Sequence, residues 1–164
     1  NLIGAHITLK NKPEVSGEPV ADLQVRYAPL HGVDIPEDQV PLAIDEFPAL
    51  FIAAACAQGR TVLRGAEELR VKESDRIAAM AEGLNTLGVN NEVLEDGIII
   101  EGGTIGGGEI RTHMDHRIAM AFSIAALRAE QEIVVLDCDH VATSFPGFDA
   151  LARGLGLQII VQAD

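Results

Sequence analysis

Two stretches limit what this 164-residue chain can fold into more than any other feature: IDEFPALFIAAACAQG, carrying Asp45, and MDHRIAMAFSIAALRA, carrying Asp115. Each sets an Asp, a favoured helix N-cap, ahead of a run that is apolar nearly all round. A helix apolar on every side has to be buried. The downstream pattern is alike in both cases. A short strand is expected at 60–64 and at 132–136. An amphipathic helix comes next, with Ile77, Met80, Leu84 and Leu87 as its seam in the first case and Phe148, Leu151, Ala152 and Leu155 in the second. Both then return to a strand. MAEGL (80–84) lies over LARGL (151–155) at an offset of 71, and the two Asp residues are 70 apart. Ala and Gly are common here, so the order of elements carries more weight than the overlay. Buried helix, strand, amphipathic helix, strand, twice over, predicts an α/β (α+β) architecture of stacked units. The units span 45–101 and 115–162, after lead-in strands in 1–44, within one domain over 1–164.

In the lead-in, residues 6–10 and 22–27 alternate as half-buried strands do, with Pro13 and Gly17 marking the turn between them. Pro29, Gly32, Pro36 and Pro41 punctuate a loop. Inside the first unit, Asp96-Gly97 is a hairpin signal between strands at 92–95 and 97–101. GGTIGGG (102–108) lacks the Gly-Lys-Ser/Thr of a P-loop and the spacing of a dinucleotide fingerprint. It reads as a flexible connection.

With five Phe, one Tyr and no Trp among 48% apolar residues, the core must be built of Ala, Ile, Leu and Val. A formal charge of −13 argues against nucleic acid and anionic membrane as partners. It argues less against small anions, which a local cationic cluster can hold. The longest apolar run, Ala49 to Ala57, is far below the roughly 20 residues that span a bilayer. Cys56 and Cys138 match no zinc pattern and read as reduced thiols of a cytoplasmic protein. The chain has no initiator Met and opens inside what reads as a strand, as a fragment or a processed start would.

Five of the 12 basic residues fall in two windows at or just before helix starts: Arg70, Lys72 and Arg76, then Arg111 and Arg117. Helix N-termini favour anions, so cations there break a local rule, and such breaks mark sites. Any one of these residues is equally well a solvated surface charge; as a set in an acidic chain they read as an anion site. Lys72 and Glu73 are adjacent, a pairing that can pass protons when burial and neighbours tune it. Asp45 and Asp115 are each accounted for by helix capping, and Asp115 could also orient His116. His113, Asp115, His116, Asp137, Cys138, Asp139 and His140 raise a metal reading. Their spacing is not a usual zinc pattern and they lie on separate elements, so no metal is expected.

At LRVKESDRIAAM (69–80), DHRIAMAFSIAAL (115–127), ATSFPGF (142–148) and IDEFP (44–48) the sequence resembles the 5-enolpyruvylshikimate-3-phosphate (EPSP) synthase family. The resemblance covers nearly the whole chain. It implies two similar domains, each of three βαβαββ units in an α/β prism, with helix N-termini pointing into a cleft between them. Family members are more than twice as long, so this chain resembles most of a C-terminal domain whose N-terminal partner is absent. The implied reaction adds the 5-hydroxyl of shikimate 3-phosphate to C2 of phosphoenolpyruvate (PEP), after which the tetrahedral intermediate loses phosphate. Neither metal nor organic cofactor is implied. Carried over by position, Asp45 handles the 5-hydroxyl proton and Lys72 contacts shikimate 3-phosphate near PEP. Glu73 protonates and deprotonates the methylene carbon, Arg76 and Arg117 clamp PEP, and His116 is a nearby polar residue. Guanidinium forks suit a carboxylate and a phosphate.

The anion site is thereby expected at three helix starts, with a fourth at Thr143-Ser144, where many members carry a lysine in place of Thr143. ATSFP, IDEFP and KESDR together resemble the subgroup that includes glyphosate-tolerant bacterial enzymes. The chain alone is expected to be inactive. Two other readings stay open: enolpyruvyl transfer to UDP-N-acetylglucosamine, against which KESDR and DHRIAM weigh, and a non-catalytic anion-binding module.

Overall fold

Alternation in the lead-in becomes an antiparallel pair, β1 (His6–Lys10) and β4 (Asp22–Arg26), in the computed structural model, which describes residues 2–162. A two-residue pair, β2 (Glu14–Val15) and β3 (Glu18–Pro19), closes the turn between them. Register sets Ile7 opposite Val25 and Leu9 opposite Leu23. These four side chains therefore share one face, and all of them are exposed.

The first buried helix, α1 (Phe47–Ala55), starts one residue later than an Asp45 cap would set it. Residues Pro41–Glu46 form a 3-10 turn, and Pro48 is placed in the first turn of α1, where its missing N–H costs nothing. Asp45 is thus inside the turn and caps nothing; the cap position is Glu46, which makes no side-chain capping bond. After α1 come β5 (Gly59–Leu63), a further 3-10 turn (Glu67–Val71) and α2 (Arg76–Thr86). The expected seam of α2 is fully inside: Ile77, Met80 and Leu84 are 0% exposed and Leu87 2%.

The Asp-Gly hairpin forms as expected from β6 (Asn91–Val93) and β7 (Ile98–Gly102), with β7 central in the antiparallel order β5-β7-β6. The glycine-rich segment is not a flexible connection. A Cβ on Gly102 would lie 2.0 Å from the Ala57 carbonyl oxygen, and one on Gly107 2.4 Å from that of Glu132. Ile105 between them is buried, and the Gly106 and Gly108 amides donate to Leu87 O and Glu132 O. These glycines let backbones touch.

A strand the sequence did not announce, β8 (Gly108–Arg111), runs parallel to β9 (Ile133–Leu136), with α3 (His116–Ala125) as the crossover. Phe47, Phe51 and Phe122 are each at most 1% exposed and join α1, α2 and α3 in one core. Burial of each is worth about 1.5–3 kcal/mol. The second unit then departs from the first. Its amphipathic helix is the short α5 (Phe148–Gly154), preceded by a separate helix α4 (Asp139–Ser144), with Pro146-Gly147 between them. Of the expected seam, Ala152 is buried, but Leu151 is 51% and Leu155 80% exposed. Residues 155–162 form no strand. The two apolar helices are not enclosed on every side either. Ala49 and Ala53 of α1 face Met120 and Ile124 of α3 across an open cleft of about 690 Å³, which also meets Val25 and Tyr27. No described helix is long and apolar enough to cross a membrane.

Candidate active site

The N-terminal ends of α1, α2 and α3 meet at one cluster of ion pairs. Asp115 is the N-cap of α3, accepting from the Arg117 amide at 2.9 Å and the Ile118 amide at 3.4 Å through Oδ1. Its other oxygen accepts from Arg76 Nε at 2.8 Å and Ser74 Oγ at 3.1 Å. Asp115 is 0% and Arg76 1% exposed, so this is a buried pair joining the first residue of α2 to the cap of α3. Arg76 uses its remaining nitrogens on two further acids. Nη1 donates to Asp45 Oδ1 at 3.0 Å and Nη2 to Glu73 Oε2.

Lys72 Nζ lies 3.4 Å from Asp45 Oδ1 and also donates to Glu68. Arg117 Nη1 donates to the Asp45 carbonyl at 2.9 Å and to Glu46 Oε1 at 3.1 Å. Asp45, Lys72, Glu73, Arg76 and Arg117 are therefore brought together, although they come from three separated stretches. Half-buried His116 stands at the start of α3, and its side chain makes no hydrogen bond or ion pair among the described residues.

Protonation follows from these contacts. Burial acts to raise the Asp45 pKa, but Lys72, Arg117 and Arg76 outweigh it and hold the carboxyl below its ordinary value. The hydrogen bond to Glu68 comes first in raising Lys72, against desolvation and with help from Asp45. Burial works against charge on both Arg76 and Asp115, yet each keeps the other ionised; the pKa of Asp115 is lowered and that of Arg76 raised. In this arrangement Asp45 is a carboxylate and Lys72 a cation at neutral pH.

Three cations, Lys72, Arg76 and Arg117, face five carboxylates, Asp45, Glu46, Glu68, Glu73 and Asp115. Such a cluster is anionic on balance, and every cation is already engaged. An anionic ligand must displace acids or bring in cations. The acids differ in how readily they yield. Glu46, Glu68 and Glu73 are 66%, 59% and 52% exposed and can turn to solvent, whereas Asp115 is sealed in. Arg117, Lys72 and the Nη edge of Arg76 can thus exchange a glutamate for a ligand oxygen, while Arg76 Nε stays anchored.

Other expected members fall elsewhere. Arg70 turns away to the β6–β7 hairpin, where it donates to Leu94 O and Glu95 O. Arg111 is exposed on β8, 4.0 Å from Glu109. Thr143-Ser144 closes α4, so these residues meet the carbonyl end of a helix and offer no anion-binding start. Ser74, Glu46 and Glu68 are members that sequence reasoning missed. Only Glu68 has a sequence signal, its position four residues before Lys72. Nothing in the sequence points to the contact of Asp115 with Arg76, 39 positions away. Among the described residues no three His, Cys, Asp or Glu side chains are placed to hold a metal ion.

Comparison with known proteins identifies the family. The family profile of EPSP synthase (3-phosphoshikimate 1-carboxyvinyltransferase) matches residues 2–151. A 3-phosphoshikimate 1-carboxyvinyltransferase of Methylococcus capsulatus is 64% identical over 97% of this chain and 36% of its own length. One of Nitrosococcus oceani is 61% identical over 96% of the chain and 35% of its own. A solved EPSP synthase from Acinetobacter baumannii superposes with a TM-score of 0.95 at 54% identity, over 97% of this chain and 38% of that one. The enolpyruvyl transferase NikO from Streptomyces tendae, at 20% identity and a TM-score of 0.57, shares the fold. The chain spans little more than a third of the length of the relatives it matches, and within that span it belongs to the EPSP synthase family.

Proposed function

We propose that this chain supplies one wall of an enolpyruvyl transferase acting on shikimate 3-phosphate and PEP in the cytoplasm, and that the remainder of the protein supplies the other wall. The carrying observation is the Arg76 hub, which ties Asp45, Glu73 and Asp115 to one buried guanidinium at three converging helix starts. Asp45, an ionised carboxylate, accepts the proton of the attacking 5-hydroxyl. The hydroxyl oxygen bonds to C2 of PEP while the methylene carbon takes a proton from Glu73, which gives up its ion pair with Arg76 to the incoming substrate and enters this step as the protonated acid. Loss of phosphate from the tetrahedral intermediate returns a methyl proton to Glu73 and leaves the enol ether, and the hydroxyl proton held by Asp45 departs with the phosphate. Lys72, Arg76 and Arg117 bind the anionic groups, with His116 beside them, and cations fixed before the reaction favour the charge that develops on the departing phosphate. No cofactor enters this scheme.

The excess of acid over base in the cluster supports a site that needs cations from elsewhere in the protein. The open cleft between α1 and α3 and the uncovered Ile7, Leu9, Leu23 and Val25 face support the reading of 1–164 as part of a larger domain. The motifs IDEFP, KESDR and ATSFP, with Thr143 in the lysine position, support membership of the subgroup that includes glyphosate-tolerant enzymes.

The test is phosphate release with both substrates. The complete protein is expected to turn over, this chain alone is not, and mixing it with the remaining part is expected to restore activity. Turnover by the chain alone at about 1 per second or faster, or silence of the complete folded protein, would count against the proposal. Binding without turnover by the complete protein would favour a non-catalytic anion-binding module.

A further inference from the structure

Lys72, Glu73 and Ser74 lie in neither helix nor strand, yet all three make contacts at the Arg76 hub or beside it. Such a segment needs outside support, and one residue supplies it from the far side. Arg70 Nε donates to Glu95 O at 2.9 Å, Nη2 to Leu94 O at 2.6 Å, and Nη1 to Asp75 Oδ2 at 2.8 Å. The last bond closes a six-residue ring from Arg70 to Asp75 around the three side chains. Asp75 uses its other oxygen to cap α2 at the Ala78 amide, 2.9 Å away.

The hairpin tip that receives Arg70 is itself fastened to the same stretch of chain. Asp96 accepts from the Gly65 amide through Oδ2 and from the Ala66 amide through its carbonyl. Gly97 permits this approach, since a Cβ there would stand 2.0 Å from Leu63 O.

We infer that Arg70 is a positioning residue that, braced on the β6–β7 hairpin tip, sets the place of Lys72 and Glu73 without touching substrate. Its fork is matched to two carbonyls and a carboxylate at once, a geometry that a lysine ammonium does not reproduce. Displacements on the order of 1 Å at reacting groups cost roughly 100-fold in rate. This role rests on the proposed transfer reaction, but half of its test does not.

Arg70→Ala in the complete protein is expected to lower kcat/KM for phosphate release by about 10- to 100-fold. Guanidinium ion below denaturing concentration is expected to recover part of the loss, and Arg70→Lys is not. Independently, hydrogen exchange in the complete protein is expected to speed up in Arg70→Ala at the Ala78 and Ala79 amides, which donate to Asp75, with β5 and α3 unchanged. Should Arg70→Ala not fold, Arg70→Lys serves for both measurements. Unchanged exchange at Ala78 and Ala79, uniform acceleration across the chain, or wild-type kcat/KM in the variant overturns the role. If the wild-type protein releases no phosphate, the proposed function fails, and the exchange pattern alone decides the inference.

Discussion

Replacing Asp115 by Asn tests whether the buried hub holds this part of the molecule together. The two Asp115 oxygens face four donors: the Arg117 and Ile118 amides on one side, Arg76 Nε and Ser74 Oγ on the other. Asn has one carbonyl oxygen and one NH2 group, so whichever way it turns, an NH2 meets donors. If the oxygen keeps the cap, Arg76 Nε loses its acceptor; if it keeps Arg76, the start of α3 loses its cap. Removing one partner of a buried ion pair costs about 3–5 kcal/mol. Arg76 keeps Asp45 and Glu73, which argues for the lower end. The lost acceptor adds about 1–3 kcal/mol, so Asp115→Asn is expected to destabilise by about 4 kcal/mol.

With a urea slope of about 2 kcal/mol per molar, the midpoint falls by about 2 M. Urea unfolding followed by circular dichroism measures this. Dependence on pH sharpens the test. Asp115 titrates below its ordinary value of 3.8 in the folded chain, so its stabilisation is complete above that value and is lost as pH falls below it. Wild type and variant should therefore differ by a constant amount at neutral pH and converge as acid is added below about pH 4. A difference under about 0.5 kcal/mol at neutral pH, or one that persists unchanged in acid, refutes the account.

Two further outcomes are expected. Gly83→Ala should destabilise by about 1–3 kcal/mol despite the better helix propensity of Ala, because its Cβ would lie 2.3 Å from the ring of buried Phe122, where α2 meets α3; a thermal melt at or above the wild-type temperature would contradict this. Arg117→Lys in the complete protein should raise the KM for PEP about tenfold or more, since an ammonium replaces a fork with a point charge; steady-state kinetics measures it, and an unchanged KM would remove Arg117 from the PEP clamp.

Much of the site can be read along the chain because its parts are local. Asp115 followed by His116-Arg117 is a cap with a cation in the first helical turn, and KESDR sets Lys72, Glu73 and Arg76 just before and at the start of α2; both patterns survive folding. The seam of α2 and the Asp-Gly hairpin are equally local, and they form as their spacing dictates. The readings that fail depend on groups opposite in space. Asp45 looks like a cap because its neighbours are helical, but Pro48 in the first turn delays α1 and frees the carboxylate for Arg76 and Lys72. GGTIGGG looks loose because glycine is permissive, whereas here it admits the Ala57 and Glu132 carbonyls. Leu151 and Leu155 have a helical seam but no surface among the described residues to bury it.

By itself the sequence determined the apolar helices α1 and α3, the cationic helix starts and the family. Tertiary structure alone decided that Arg76 is sealed against Asp115, that Arg70 faces a hairpin and leaves the anion site, and that acids outnumber cations where an anion would bind. The physical reason is range: caps, turns and seams act within a few residues, whereas desolvation and charge pairing depend on groups brought together from 24 to 72 positions apart.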